Sequence, residues 1–363
     1  MKPGERFIRC LTGLPIDRVP YGVGIGWAPW GETLARWKTE SGRQDLDPIR
    51  EFGFDASCAH PSVHAGIFPA YERVLVRDEG ELIVYRDERG ITMRGRKDGG
   101  SMPEFLDYPV KTRADWERLK AERLNSDVPG RIPQDWPEFR EKIRISGEAV
   151  QVGAFPFGVF GTPRDLMGVE AVLISFYEVP DLIRDMMEHL TTLWLTLWTR
   201  VAGDVRIDHI HIWEDMSGRQ GSLISPAMVR EFMMPQYDRI ARFAREFDVR
   251  VVSVDTDGDC SELVPLMMEH GVNMVFPFEV QAGNDIREYR RRYPTLGIMG
   301  GLDKRVLAGA QANVDREVVR AAEMVRHGRY IPGFDHLIPP DASWDNFRNA
   351  AEQLKAVCYG RRP

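Results

Sequence analysis

The 363-residue chain reads as an α/β protein, a (β/α)8 TIM barrel carrying an inserted antiparallel β-meander. From about residue 147 onward, six short apolar runs alternate with helical periodicity, and two earlier runs bring the strand count to eight. Between residues 71 and 98 the alternation gives way to short strands divided by Asp78-Glu79-Gly80 and Asp87-Glu88-Arg89-Gly90, which is hairpin turn chemistry. An open doubly wound sheet is the competing arrangement of the same units. No Ser/Gly-rich tract or low-complexity run divides the chain, so residues 1–363 read as one domain with the insertion laid over one face, where it could roof a pocket.

In chain order, Gly4 to Leu11 is helical and Gly13 stops it, after which Pro15 to Pro20 leads into a first strand at Val19 to Ile25. Trp27-Ala28-Pro29-Trp30 follows, and the two indoles either wall a pocket for a flat ligand or cap the core. A helix at Thr33 to Thr39 precedes a second strand at Phe54 to Ala59, with Cys58, His60 and His64 at its end. Asp115 to Glu122 and Trp136 to Lys142 are charged, peripheral helices. The six later strands are Ala149 to Ala154, Ile207 to Trp213, Val249 to Val254, Val272 to Phe276, Leu296 to Met299 and Tyr330 to Phe334. The helices between and after them are Pro163–Phe176, Pro180–Val201, Pro226–Phe247, Cys260–His270, Asp285–Arg292, Lys304–Leu307 with Asp315–His327, and Trp344–Cys358.

Function is expected where these strands end. Val251 to Val254 runs into Asp255, Thr256, Asp257, Gly258, Asp259 and Cys260, the pattern of a buried strand opening onto a polar surface, although Asp-Gly is also an ordinary turn. Glu214 and Asp215 follow Trp213, Glu279 follows Phe278, Asp303, Lys304 and Arg305 follow Gly301, and Asp335 and His336 follow Phe334. In a barrel those ends converge on the face that carries chemistry. Carboxylates with one imidazole suit a divalent metal such as zinc, manganese or iron, held by some of Glu214, Asp255, Asp257, Glu279 and His336. Alternatively the carboxylates act as general acids or hold a cationic or hydrogen-bond-donating substrate, with Lys304, Arg305 and His336 holding its anionic groups; on either reading Asp257, Glu279, His336 and Asp303 are the catalytic candidates and Lys304, Arg305 and His60 lie on the substrate. Without a cation between them, carboxylates packed so closely must have at least one strongly raised pKa. His209 and His211 share one face of their strand and read as hydrogen-bonded core residues, and Cys260 as a packing thiol in the first turn of its helix.

The composition is 43% hydrophobic and 28% charged with a net charge of −7, which disfavours nucleic-acid or anionic-membrane partners. The four cysteines are scattered without a CxxC pair and the amino end does not read as a signal peptide, so a cytoplasmic protein with reduced thiols is expected. There is no dinucleotide fingerprint, P-loop, HExxH or GxSxG elbow to support hydride transfer, phosphoryl transfer or serine hydrolysis.

Several stretches resemble the uroporphyrinogen decarboxylase superfamily, which includes corrinoid-dependent methyltransferases. They are Glu5 to Leu11 with Asp17-Arg18-Val19-Pro20, Ser225-Pro226, Asp255-Thr256-Asp257-Gly258, Gly300 to Arg305, and Tyr330 to His336 with Pro339-Pro340. The resemblance implies a (β/α)8 barrel and an enzyme acting on a small molecule, with homodimerisation as a family trait. The decarboxylase branch carries an arginine-rich porphyrinogen-binding segment where this chain reads Gly24 to Trp30. The coenzyme M branch holds zinc by His-x-Cys and a distant Cys, where this chain has Asp255-x-Asp257 and Asp335-His336. The branch it is most similar to demethylates methoxy or methylamine compounds, with a metal held by oxygen and nitrogen ligands and a partner protein supplying the corrinoid that accepts the methyl group. In that branch Trp27 and Trp30 would line the substrate pocket. A metal-free decarboxylase of a porphyrinogen or other polycarboxylate is the alternative that the resemblance leaves open.

Overall fold

The structure, a computed structural model, describes residues 1–100 and 102–361. Its first sheet is the insertion, an antiparallel meander of β1 (Val74–Glu79), β2 (Leu82–Arg86), β3 (Thr92–Arg96) and β4 (Glu104–Asp107), paired in that order. The fourth strand lies beyond the 71–98 expected from turn chemistry. The central sheet contains β5 (Gln151–Gly153), β6 (His209–Trp213), β9 (Val251–Thr256), β10 (Met274–Pro277), β11 (Gly297–Met299) and β12 (Tyr330–Ile331). All its pairings are parallel. A two-residue hairpin, β7 (Ser217–Gly218) with β8 (Gly221–Ser222), sits in the loop after β6. The six central strands are those expected, and β6, β9 and β10 are buried almost throughout, as sheets covered on both faces require.

The two early strands do not form, so no continuous ladder of eight strands closes. Residues 19–25 carry Pro20 and two glycines in the left-handed region, Gly22 at φ 75° and Gly24 at φ 99°, and end in a 3-10 turn, Ile25–Trp27. Such backbone cannot present regular ladder donors. Residues 54–59 contain Asp55, Ala56 and Ser57, which lack the branched or aromatic side chains that stabilise a pleat. Each segment keeps only point contacts. Ala59 N–H donates to Ala149 O at 2.8 Å and Ala59 O accepts from Gln151 N–H at 2.9 Å, while Asp55 N–H donates to Tyr21 O at 2.8 Å. Trp27 Nε1 reaches Pro332 O beyond β12 at 3.1 Å.

Helices follow the expected order with local corrections. The segment at Pro163–Phe176 is two helices, Gly161–Met167 and Val169–Glu178, because Gly168 sits at φ 84° between them. The helix after β8 contains a π-turn at Val229–Met233 just before Pro235, whose missing N–H and bulky ring are accommodated by a wider turn. The helix after β9 begins at Leu263, so Cys260 lies ahead of it rather than in its first turn. Among the described residues no helix is long and apolar enough to cross a membrane.

The meander is tied to the main body by Arg89. Its guanidinium pairs with Asp87 of the same turn at 2.7 Å and with Asp165 of helix Gly161–Met167 at 2.7 Å. Both carboxylates are nearly buried, with side chains 8% and 9% exposed. Replacing Arg89 by Met strands two buried acids, which costs about 3 kcal/mol. Urea unfolding should show that loss, and limited proteolysis should show faster cutting within residues 71–107.

Candidate functional site

Because the central strands are parallel, the acids that follow β6, β9, β10, β11 and β12 all lie at one end of the sheet. Register fixes the deepest of them. Trp213, Asp255 and Phe276 are paired across β6, β9 and β10, so their side chains form one row on one face. The row below carries His211 and Ser253, and Ser253 Oγ holds His209 Nε2 at 2.7 Å and His211 Nδ1 at 2.9 Å. Burial pushes the His211 imidazole down to about 3 and His209 well below its ordinary value, so both are neutral core residues. His60 stands near them, exposed along one side, and partial desolvation lowers its pKa too.

The acids divide by how each is satisfied. Glu214 is wholly buried, and it accepts from the backbone N–H groups of Val159 at 3.0 Å, Phe160 at 2.7 Å and Gly161 at 2.9 Å, and from Tyr237 OH at 2.7 Å. Burial raises its pKa and those donors pull it back. Asp335, also wholly buried, accepts from Val280 N–H at 2.9 Å and Lys304 N–H at 3.2 Å, tying the loops after β10, β11 and β12 together. Asp303 caps the 3-10 turn Lys304–Ala308 through Arg305 N–H at 3.0 Å and pairs with the Arg305 guanidinium at 2.7 Å. Asp215 pairs with Arg164, whose guanidinium also sits 5.1 Å from the centre of the Trp213 ring. Glu279 accepts from Gly258 N–H at 3.0 Å and lies 3.4 Å from Lys304 Nζ.

Asp255 and Asp257 are left over. Asp255 is half-buried, and burial with the nearby Asp257 and Asp215 raises its pKa far above normal. Asp257 is pushed up to about 7 by burial, then by Asp215 and Glu279, with Lys304 and Arg164 pulling the other way. Its carboxylate lies 3.6 Å from His336 Nε2. Burial, with Lys304 nearby, lowers the His336 pKa. The two shifts run in opposite directions, the carboxyl toward keeping its proton and the imidazole toward losing it.

Backbone strain marks the same rim. Ala154, Asp215 and Phe278, each just past a strand end, occupy positive φ at 113°, 43° and 60°. Gly258 is at φ 71°, and a Cβ there would come within 2.5 Å of the carbonyl oxygens of Ser217 and Gly218, so only glycine can aim this N–H at Glu279.

Several expectations change with this geometry. The metal set of Glu214, Asp255, Asp257, Glu279 and His336 does not assemble. Among the described residues no group of three or more His, Cys, Asp or Glu is placed to hold a metal ion, and both Glu214 oxygens are already occupied by donors. Asp303 is a cap paired with Arg305, so neither stands free for substrate. Trp27 is core, 3% exposed and packed against Tyr21, Phe54 and Phe334, whereas Trp30 is half-buried at the start of helix Gly31–Ser41. Asp257, Glu279, Lys304 and His336 do come together. Arg164, Tyr237 and Asp335's role as a tie were missed. Tyr237 and Arg164 sit within helices whose sequence gives no sign of the inward reach, while Asp335 was visible as the neighbour of His336.

The family model described as uroporphyrinogen decarboxylase (URO-D) matches residues 81–357. The chain belongs to the URO-D family, a family of enzymes. It is 26% identical to a uroporphyrinogen decarboxylase of Anaeromyxobacter sp. (strain Fw109-5), covering 98% of this chain and 99% of that one. A second, from Anaeromyxobacter dehalogenans (strain 2CP-C), is 23% identical, with 91% of each covered. Among solved structures, a methyltransferase from Methanosarcina mazei superposes with a TM-score of 0.58 at 16% identity over 98% of both chains, a likeness of fold.

Two measurements follow from how the acids are satisfied. Glu214→Gln places an NH2 donor against two of the four donors, whichever oxygen it replaces, and should cost more than about 2 kcal/mol in urea unfolding. The folded pKa of Asp257, about 7, lies above its ordinary 3.8, so the stability this group contributes is complete below pH 3.8 and is lost as pH rises through 7. Asp257→Asn should therefore gain on the wild type as pH climbs across that window, which urea titrations at several pH values will read.

Proposed function

We propose that this chain is a methyltransferase that takes a methyl group from a small methoxy or methylamine compound and passes it to the corrinoid of a partner protein. The observation supporting this is Asp257, a carboxyl pushed up to about 7 and 3.6 Å from an imidazole, among further acids at the strand ends. A donor ether or amine leaves poorly as an anion, and a proton delivered to its heteroatom removes that barrier. As the bond from heteroatom to methyl carbon breaks, the electron pair stays on the heteroatom and the Asp257 proton moves to it. A proton from solvent then restores Asp257, beside which His336 Nε2 is held at 3.6 Å. The reduced corrinoid supplies the nucleophile that accepts the methyl carbon. Asp255 and Glu279 favour a ligand that donates hydrogen bonds or carries positive charge. No step runs through a metal, since the ligand set expected from sequence is not assembled.

The same electrostatics argue against a polyanionic substrate. Arg164, Lys304 and Arg305 are each already paired with Asp215, Glu279 or Asp303, leaving little to clamp several carboxylates. The second reading, a metal-free decarboxylase of a porphyrinogen or other polycarboxylate, is favoured by the end-to-end match to curated relatives bearing that name. There, ionised Asp257 would steady a protonated intermediate.

Reduced cobalamin can serve as the methyl acceptor, with methoxy and methylamine donors offered singly. Methylation should appear spectrally, survive EDTA, and decline as pH rises through about 7. Asp257→Asn should lower kcat by about 100- to 10,000-fold. Carbon dioxide release from a porphyrinogen, without methylation of cobalamin from any donor, would sink the methyl-transfer reading and support the second.

A further inference from the structure

The junction between the meander and helix Arg113–Arg123 gathers cations without acids. Tyr71, which leads into β1, is pinned against the turn between β2 and β3. Its N–H donates to Glu88 O at 2.9 Å, and a Cβ on Gly90 would lie 2.8 Å from its ring. Two guanidinium groups sit by that ring, Arg123 of the helix at 4.1 Å from its centre and Arg86 of β2 at 6.0 Å. They come from separate parts of the chain, so the fold brings the two charges to one side chain. Other guanidiniums of the meander are paired: Arg77 and Arg94 share Glu79, Arg89 holds Asp87 and Asp165, and Arg96 holds Asp98. Arg86 and Arg123 form no ion pair with any carboxylate among the described residues, although Glu72 and Glu88 are close in sequence.

Each of the two guanidiniums is sealed on one side and open on the other. Nε of Arg86 and Nε of Arg123 are buried without a partner. Arg123 Nη1 donates to Pro69 O at 2.5 Å and to Ala70 O at 3.4 Å, which holds that side chain in place. Nη1 and Nη2 of Arg86 and Nη2 of Arg123 also lack an acceptor in the protein but, unlike Nε, are not enclosed, and the same is true of the Tyr71 hydroxyl. A ligand can therefore meet these atoms from outside. Contact with the Tyr71 ring places the two charges without neutralising them, and they repel each other. Arg86 offers a fork of two nitrogens, Arg123 one more and Tyr71 an O–H. A single carboxylate cannot take all of these from their separate directions, whereas the oxygens of a tetrahedral dianion can.

We propose that Arg86, Arg123 and Tyr71 form a site for a phosphate dianion, free or as the terminal group of a small molecule, which bridges the meander and the main body. The site does not depend on the methyl-transfer reading and is tested without turnover. Isothermal titration of the intact chain at fixed ionic strength, with inorganic phosphate, glycerol phosphate and acetate, reads it directly. Inorganic phosphate should bind saturably at one per chain, roughly tenfold or more tighter than acetate. Arg86→Gln and Arg123→Gln should each weaken it roughly tenfold or more. Arg73 supplies the control for net charge, because it stacks 4.6 Å from the centre of Tyr85, which points to the opposite face of β2 from Arg86. Arg73→Gln should change the affinity less than about threefold. Glycerol phosphate binding at least as tightly as phosphate supports the terminal group of a small molecule as the occupant, and weaker binding supports the free ion. No saturable phosphate binding, acetate equal to phosphate, unchanged affinity in Arg86→Gln, or a loss in Arg73→Gln that matches it would each overturn the site. The Arg86 guanidinium makes no hydrogen bond within the protein, so Arg86→Gln decides alone if Arg123→Gln loosens the loop it holds.

Discussion

Carboxylates crowded at the end of one parallel sheet cannot all remain ionised in a medium that solvates them poorly, and much of the rim is arranged around that constraint. Each acid but two is given its own donors. Glu214 has three backbone N–H groups and a phenol, Asp335 has two N–H groups, Asp215 has Arg164, Asp303 has Arg305, and Glu279 shares Lys304 and Gly258. Asp255 and Asp257 are half-buried and receive the repulsion without comparable relief, and their raised pKa values are the consequence. The acidity of the site is thus set as much by neighbours that are neutralised as by the pair that is not.

Backbone geometry makes that distribution possible. Glu214 can meet three consecutive N–H groups only because the loop before helix Gly161–Met167 comes into van der Waals contact with the end of β6. A Cβ on Gly158 or Gly161 would lie 1.7 or 2.2 Å from Trp213 O, so two glycines are required for the approach. The positive φ of Asp215 then turns the next carboxylate away from that loop toward Arg164 and the mouth. Neighbouring residues of like charge are in this way sent to different tasks, one holding the scaffold and one biasing the proton on Asp257.

This division explains what the sequence disclosed and what it hid. The six central strands were legible because β-branched and apolar runs such as Val251 to Val254 can be buried on both faces. That acids gather at their ends followed from parallel topology, and Asp257 with His336 emerged as a close pair. The metal shell was not foreseeable in either direction, since a Glu at a strand end looks the same whether its oxygens face a cation or backbone N–H groups. The early strands were over-read because residues 19–25 alternate apolar and small side chains while Gly22 and Gly24 leave the β region. Trp27 was likewise ambiguous until Tyr21, Phe54 and Phe334 were seen to enclose it.

The loop from Pro156 to Gly161 has two faces, and what holds each decides how far the acids and the meander can influence one another. On one face it is anchored to the Glu214 carboxyl by three hydrogen bonds. On the other, Pro156 and Phe157 border a cavity that the meander turn at Glu88 and Arg89 also lines. That anchor makes the backbone route between the two stiff. The softer route runs through side chains. Arg89, at the cavity edge, lies 5.1 Å from the Phe155 ring, and Phe155 packs edge-on against Trp213 at 4.7 Å, in the same row as Asp255. Phe155 is 53% exposed, and cation–π contacts at exposed sites contribute about 0.5–1 kcal/mol, so this contact can rearrange where the loop cannot. The contact between the meander and the acids that can yield is therefore the Phe155–Trp213 packing rather than the Glu214 anchor.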